Sequence, residues 1–380
     1  MKIFYWSPFT SSVATIKAVI NSAHSLKNLY NYDTYLINSF GEWGVFKEEL
    51  KQKKIKIISN PKVLKIKNTQ GFLNSRITYL KIFFNSLLFL KYILKIKKPK
   101  FLIIHLLTSL PLTLFLIFNF ETKLVLRISG LPKLNFLRRF LWRISNKNIS
   151  FITVPTKETL KNIKKLNLFD SNKIYYLPDP VIIKKELFQV YKNKKKKKTK
   201  DRFILNIGRL TKQKNQKLLI KSFVKISKKY KNLKLLILGE GEKFSELKKL
   251  TTDLNLNSKI KFLGHVNNPY EYIKKSLCVV VSSLWEDPGF VMIEASALKR
   301  TVICSDCASG PKEFFNDGKT GFLFKNNDPV SFIQVFDKFM KTNKNIINFF
   351  IKKNFENSLK FTDTFHGKCL KQLLDVYEKK

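Results

Sequence analysis

Short apolar runs alternate with helix-patterned segments along this chain, in two series, and that alternation leaves few folds open. Residues 2–6, 34–37, 54–59, 101–105, 123–128 and 149–154 read as strands, with helical patterns at 13–29, 77–96 and 136–145 between them. A second series opens at 203–208 and continues through strands at 233–238, 260–263 and 278–281. Helices at 215–229, 242–254 and 270–275 fill its gaps. A strand followed by a helix must cross over to reach the next strand, so repeated units of this kind build parallel sheets. At 380 residues the chain exceeds one ordinary core, which agrees with two domains. An unbroken lysine run, Lys194 to Lys198, carries no core-forming residue and is the expected linker or loop between them.

Composition removes several classes. An apolar share of 44% with 13% aromatics excludes a disordered chain. The 72 basic against 27 acidic residues leave a net charge of +45, which points to an anionic partner or to compositional drift in a chain rich in Lys, Asn, Ile and Phe. No zinc-finger spacing, helix-turn-helix or RNA-binding aromatic signature accompanies it, so specific nucleic-acid binding is not expected. Cys304 and Cys307 have the C-x-x-C form without a second pair or a histidine cluster, so metal ligation and redox chemistry are set aside. The first residues read as a strand and not as a leader, which makes the expected setting cytosolic with reduced thiols. Residues 101–118 are apolar enough to resemble a membrane span. His105, Thr108, Ser109, Pro111 and Thr113 divide them instead into a strand, a loop and a helix.

Candidate chemistry gathers where strands end. After the strand at 278–281, Asp287-Pro288-Gly289 is turn chemistry and Val291 opens a helix. Glu286 thus stands at a strand end and Glu294 about two turns into a helix. Ligands of open α/β sheets bind beyond the strand ends, and a helix start there favours phosphate. Gly208-Arg209 with Lys214 follows another strand, where Arg offers a planar fork and Lys a compact charge to phosphate oxygens. Gly239-Glu240-Gly241 and Gly264-His265 follow two more. Two carboxylates able to accept from hydroxyls, beside cations and a helix start, suit a nucleotide-sugar.

These pieces resemble, in order and spacing between Phe203 and Phe324, the donor-binding half of the family-4 retaining glycosyltransferases. They are Gly208-Arg209 with Lys214, Gly239-Glu240-Gly241, Phe262-Leu263-Gly264, Ser283-x-x-Glu286 and the E-x7-E pair Glu286 and Glu294. Ser305-Asp306, Gly310-Pro311-x-Glu313 and Asp317-Gly318-x-Thr320-Gly321-Phe322 complete the set. The resemblance implies an α/β GT-B fold, two Rossmann-like domains whose parallel sheets face a central cleft. Residues 1–185 would bind the acceptor, 186–355 the nucleotide-sugar donor, and 356–380 would form a helix packing back toward the first domain. Arg209 and Lys214 would hold the diphosphate, Glu286 would face the donor sugar, and Glu294 would accept from the ribose. Gly208, Gly239, Gly264, His265 and the backbone at Gly289, Phe290 and Val291 would border the donor. No metal and no cofactor are called for, since cations and a helix start neutralise the leaving group.

The acceptor half matches less closely. His105 ends a strand where the family often lines its cleft with histidine. Ser11 and Ser12 stand where the family has a glycine-rich loop, and Arg127 and Ser129 end a second strand. The expected reaction moves a sugar from a UDP- or GDP-sugar to a glycan or polyprenyl-linked acceptor of cell-surface polysaccharide, with retention. Between Ile77 and Lys100, Phe83, Phe84, Leu87, Leu88, Leu90 and Ile93 lie beside Lys81, Lys91, Lys95, Lys97 and Lys98. That pattern fits a helix packed on a sheet, and equally one resting on the anionic inner face of the cytoplasmic membrane. The alternatives are another GT-B enzyme, such as a nucleotide-sugar epimerase or phosphorylase, and a non-catalytic basic protein that binds nucleic acid or membrane.

Overall fold

A computed structural model describes residues 1–10, 14–61, 72–130, 134–192 and 202–379, with side chains of the third helix described from residue 77. The chain divides into two compact units, Met1–Val181 with Asp363–Lys380, and Ile182–Thr362. The division falls at Val181 and Ile182, not at the lysine run Lys194 to Lys198, which lies outside the described residues. Polar, charged stretches tolerate separation, but the chain changes unit here through apolar residues: Val181, Ile182 and Ile183 are all buried.

Among the described residues, unit one holds seven strands: β1 (Lys2–Trp6), β2 (Asp33–Asn38), β3 (Lys56–Ser59), β4 (Phe101–Ile104), β5 (Lys123–Arg127), β6 (Ile149–Val154) and β7 (Ile174–Tyr176). They run in the order β3-β2-β1-β4-β5-β6-β7, all parallel. Between them come α1 (Ala14–Tyr30), α2 (Lys47–Gln52), α3 (Phe72–Lys97), α4 (Ser109–Ile117), α5 (Phe136–Ser145) and α6 (Lys157–Lys165). Residues 101–118 therefore form a strand, a loop and a helix. A parallel sheet is covered on both faces, which is why β4 reads as an unbroken apolar run with every residue buried.

Unit two holds β8 (Arg202–Ile207), β9 (Leu233–Leu238), β10 (Ile260–Phe262), β11 (Val279–Val281), β12 (Val302–Ser305) and β13 (Phe322–Phe324) in the parallel order β10-β9-β8-β11-β12-β13. Its helices are α7 (Lys184–Lys192), α8 (Gln216–Lys229), α9 (Phe244–Asp253), α10 (Tyr270–Lys275), α11 (Phe290–Ala297), α12 (Gly310–Phe314), α13 (Pro329–Lys341) and α14 (Lys344–Ser358). The helix expected to open at Val291 starts one residue earlier, at Phe290, because Gly289 supplies the left-handed turn into it.

The last helix, α15 (Asp363–Lys379), belongs to unit one. Leu370, Leu374 and Tyr377 join Ile16, Val19, Ile20 and Leu26 of α1 in one core. His366 is buried there, its Nδ1 2.7 Å from the Pro178 carbonyl and its Nε2 2.9 Å from Ser22 Oγ. Residues 356–358, expected to open this helix, end α14 instead.

Both sheets reverse direction of strand order once. In unit one β1 neighbours β4, and in unit two β8 neighbours β11. Loops that leave two adjacent strands in opposite directions open a crevice between them at the carboxyl ends, and ligands of such sheets bind there. The connectivity alone thus nominates the loops after β1 and β4, and those after β8 and β11.

Candidate active site

At the β8/β11 switch point two loops far apart in sequence meet. Ser282 Oγ donates to the Lys214 carbonyl at 2.9 Å, the Leu284 amide to the Gln213 carbonyl at 2.8 Å, and Gln213 Nε2 back to the Trp285 carbonyl at 2.9 Å. These bonds bring Lys214 Nζ to 2.5 Å from Glu286 Oε1, across 72 positions of sequence. Ser283 Oγ donates to the same Oε1 at 2.6 Å. The side chains of this pair are 19% and 8% exposed, so the charges are held largely out of water. A pair in that setting is weak evidence for stability but fixes the direction of both side chains. Behind Glu286, its carbonyl accepts from the Gly310 amide at 3.2 Å, and Ser305 Oγ donates to the Ser283 carbonyl at 2.5 Å.

The glycines here serve the protein's own backbone. A Cβ on Gly239 would lie 2.0 Å from the Gly208 carbonyl oxygen, and one on Gly208 would press at 3.3 Å on the aliphatic stem of Lys214. Gly208 and Gly239 therefore let the loops after β8 and β9 interlock and let Lys214 lie flat.

Gly289 caps α11 at φ +100° and offers no side-chain acceptor. Phe290, Val291 and Met292 follow in the first turn of α11, where the positive end of the helix dipole lies. Glu294 lies one turn further along α11, half-buried. Tyr270 at the start of α10 is its neighbour. Burial chiefly, and then the charge of Glu294, push the phenol's pKa well above its ordinary value. Arg209 is exposed, its backbone tied by Gln216 Nε2 to the Arg209 carbonyl at 3.1 Å, and its side chain has no carboxylate partner among the described residues. His265 is exposed as well. Its amide donates to Glu240 Oε1 at 3.2 Å, beside Gly264 at φ +66°. The C-x-x-C thiols lie behind the site. Cys304 and Cys307 are free and buried, and burial raises the Cys307 thiol to about 11.

Unit two thus brings Lys214, Glu286 and Gly289 together, with Ser283, Gln213 and Ser305 holding them. Sequence reading placed Ser283 only as part of a motif and passed over Gln213 and Tyr270. A serine three residues before a strand-end glutamate was the one available signal for Ser283.

Unit one treats its expected residues differently. Arg127 is buried, its Nη1 donating to the Leu177 carbonyl at 2.8 Å and its Nη2 to Asp179 Oδ1 at 2.5 Å. The guanidinium is turned into the interior. His105 is buried against Tyr5, ring centroids 6.3 Å apart, and its Nδ1 has no partner among the described residues. Burial first, then the charges of Arg127 and His366, hold its pKa well below the usual histidine range. Ser11 and Ser12 lie outside the described residues. Ser129 borders a cavity of about 650 Å³ built on the loops after β1, β4 and β5. Its walls include Phe9, Leu107, Ile128, Leu141 and Trp142, mostly apolar, with Arg127 and Arg138 as charged members.

Residues 188–353 match the family described as glycosyl transferases group 1. An uncharacterised glycosyltransferase of Methanocaldococcus jannaschii is 41% identical over 41% of this chain and 37% of its own length. An N-acetylgalactosamine-N,N'-diacetylbacillosaminyl-diphospho-undecaprenol 4-alpha-N-acetylgalactosaminyltransferase of Campylobacter jejuni is 37% identical over 42% of each chain. The chain thus spans about two fifths of the length of these curated relatives. Among solved structures, Anabaena Alr3699/HepE in complex with UDP-glucose matches 99% of this chain and 100% of its own, at a TM-score of 0.73 and 14% identity. That likeness is one of fold, two Rossmann-like α/β domains of the GT-B type.

Proposed function

We propose that this chain, whose residues 188–353 belong to the glycosyl transferases group 1, is a retaining glycosyltransferase that uses a nucleotide-diphosphate-sugar. The observation that carries the reading is the Lys214–Glu286–Ser283 contact beside the Gly289-capped start of α11. An anion binds at such a helix start, and a cation 2.5 Å from a carboxylate is already aimed at the same small volume.

In this reading the diphosphate lies against the α11 amides, with Arg209 and Lys214 taking up charge as the bond from the anomeric carbon to the diphosphate oxygen breaks. The acceptor hydroxyl oxygen forms its bond to that carbon on the face the diphosphate leaves, and its proton passes to the departing diphosphate oxygen. These cations and amides supply the electrostatic role that a metal ion plays elsewhere. Glu286 orients the donor sugar. An oxygen that already accepts from both Lys214 and Ser283 is a weakened nucleophile, which favours positioning over covalent attack. Glu294 takes the ribose hydroxyls, with Tyr270 beside it. A UDP-sugar is the first donor to try, because the HepE structure holds UDP-glucose. The acceptor is a glycan or lipid-linked glycan of surface polysaccharide, with the enzyme peripheral on the cytoplasmic face of the membrane. The relative from Campylobacter jejuni, whose name includes diphospho-undecaprenol, supports that choice.

A melting-temperature panel of UDP-, GDP-, ADP- and CMP-sugars tests the donor site, since a ligand that binds only the folded state raises the midpoint. One of the four is expected to raise it, and Glu294→Ala to weaken that binding about tenfold, or about 1.4 kcal/mol, with little change in kcat. A flat panel together with salt-sensitive binding of RNA would overturn the assignment.

A further inference from the structure

The exposed faces of α3 and α5 carry chemistry that the donor site does not use. On α3, Ile82, Leu90, Ile93 and Leu94 are buried, the last three in the core beneath the sheet. The opposite face is not polar. Leu80, Phe84, Leu88, Tyr92 and Ile96 follow one another at four-residue spacing, and Phe84 and Leu88 are 68% and 71% exposed. Residues Ile77–Lys97 are long and apolar enough to cross a membrane by length and composition, but a third of that window is buried inside the protein. A helix committed to the core on one side is placed to lie along a bilayer, not to cross it.

α5 repeats the pattern. Asn135 Oδ1 caps it through the Arg138 amide at 2.9 Å, and only Trp142 and Ser145 are buried. Phe136 and Leu137, 80% and 73% exposed, stand beside exposed Phe140, and Arg138, Arg139 and Arg143 are exposed among them. α4 packs against both helices. Tyr79 of α3 and Arg138 of α5 both wall the 650 Å³ cavity, so the two faces meet at it. From residue 50 to residue 157 the chain holds a single acidic side chain, Glu121. The patch therefore joins exposed aromatic and aliphatic groups to a cluster of exposed arginines. Water disfavours the first, and the second selects an anionic partner.

We infer that α3 and α5 together form a seat for an anionic lipid bilayer, with the cavity at the level of the headgroups. The single-helix membrane contact considered above becomes a two-helix surface, and Arg138 stands where a phosphate of a lipid-borne acceptor would enter. The inference rests on the transferase reading for its purpose only. The seat itself is testable without turnover.

The experiment is flotation of the full chain with vesicles of phosphatidylcholine alone or mixed with phosphatidylglycerol. The protein is expected to float with the mixed vesicles and to be released by high salt. F136S/L137S/F140S on α5 and, separately, L80S/F84S/L88S on α3 should each reduce flotation about tenfold or more. R138Q/R139Q/R143Q should remove the preference for phosphatidylglycerol. All are surface changes in unit one, so the melting shift given by the nucleotide-sugar should persist and report that the fold is intact. Equal flotation of the variants and the parent would overturn the inference. So would a dimer that F136S/L137S/F140S converts to monomer, which would make the patch a contact between copies, or tighter binding of RNA than of mixed vesicles through the same residues.

Discussion

The two units repeat one architecture and fill it with opposite chemistry. Each is a parallel sheet with one reversal of strand order, and each gathers loops at that point. In unit two the reversal presents charge: Lys214, Glu286 and the start of α11. In unit one Arg127 is paired with buried Asp179 and the His105 ring is buried against Tyr5, and the loops enclose a mostly apolar-walled cavity. The same topology thus builds a polar, anion-ready site in one place and an apolar receptacle in the other. Topology fixes where a site lies, and the residues at the loop ends fix what it can hold.

That contrast can be broken. Arg127→Met would leave Asp179 buried without its cation, and the expected loss is about 3–5 kcal/mol of stability, read by urea unfolding. If stability were kept and only acceptor KM rose, Arg127 would be a ligand-facing residue and the two units would be alike. In unit two the expected effect is on chemistry. Glu286→Gln and Lys214→Met should each lower kcat about 100-fold, or about 2.7 kcal/mol, in single-turnover assays. Because they share one contact, the double variant should lose little more than either single one. Full additivity would separate their roles.

A further expected effect is in pH dependence. Glu42 is buried, and desolvation outweighs the bonds from the Ser39 and Phe40 amides, raising its pKa to about 7. A carboxyl whose folded value lies above its unfolded value holds its proton more tightly when folded. Stability is then greatest below pH about 4.5 on this group's account and declines as pH rises to about 7. The decline should be on the order of 3 kcal/mol in unit one, measured as unfolding midpoint against pH, and Glu42→Gln should flatten it. A profile unchanged by the substitution would refute the assignment.

Much of the fold was legible because strand and helix periodicity is local. Residues 136–145, 149–154, 233–238 and 270–275 form the elements that their patterns predict. The motif around Glu286 was legible for the same reason, since a strand end, a turn and a helix start lie within a dozen residues. The helices α6, α7, α13 and α14 were passed over. α6 and α7 are short and lysine-rich, and their few buried residues, Ile163 and Thr159 in one and Leu187 in the other, give little periodic signal. Arg127 and His105 could not be read correctly from sequence as inward-facing or outward-facing, because a strand-end residue can turn either way and the partner that decides, Asp179, lies 52 positions away.

The sequence by itself determined the kind of layers this protein has and the short motif that holds Glu286, because both depend on neighbours within a few residues. Only the tertiary structure decided which groups meet. Lys214 reaches Glu286, Arg127 is taken by Asp179, and the apolar sides of α3 and α5 converge on one cavity because strand order places them together. Strand order is a property of the whole sheet, and no local pattern encodes it.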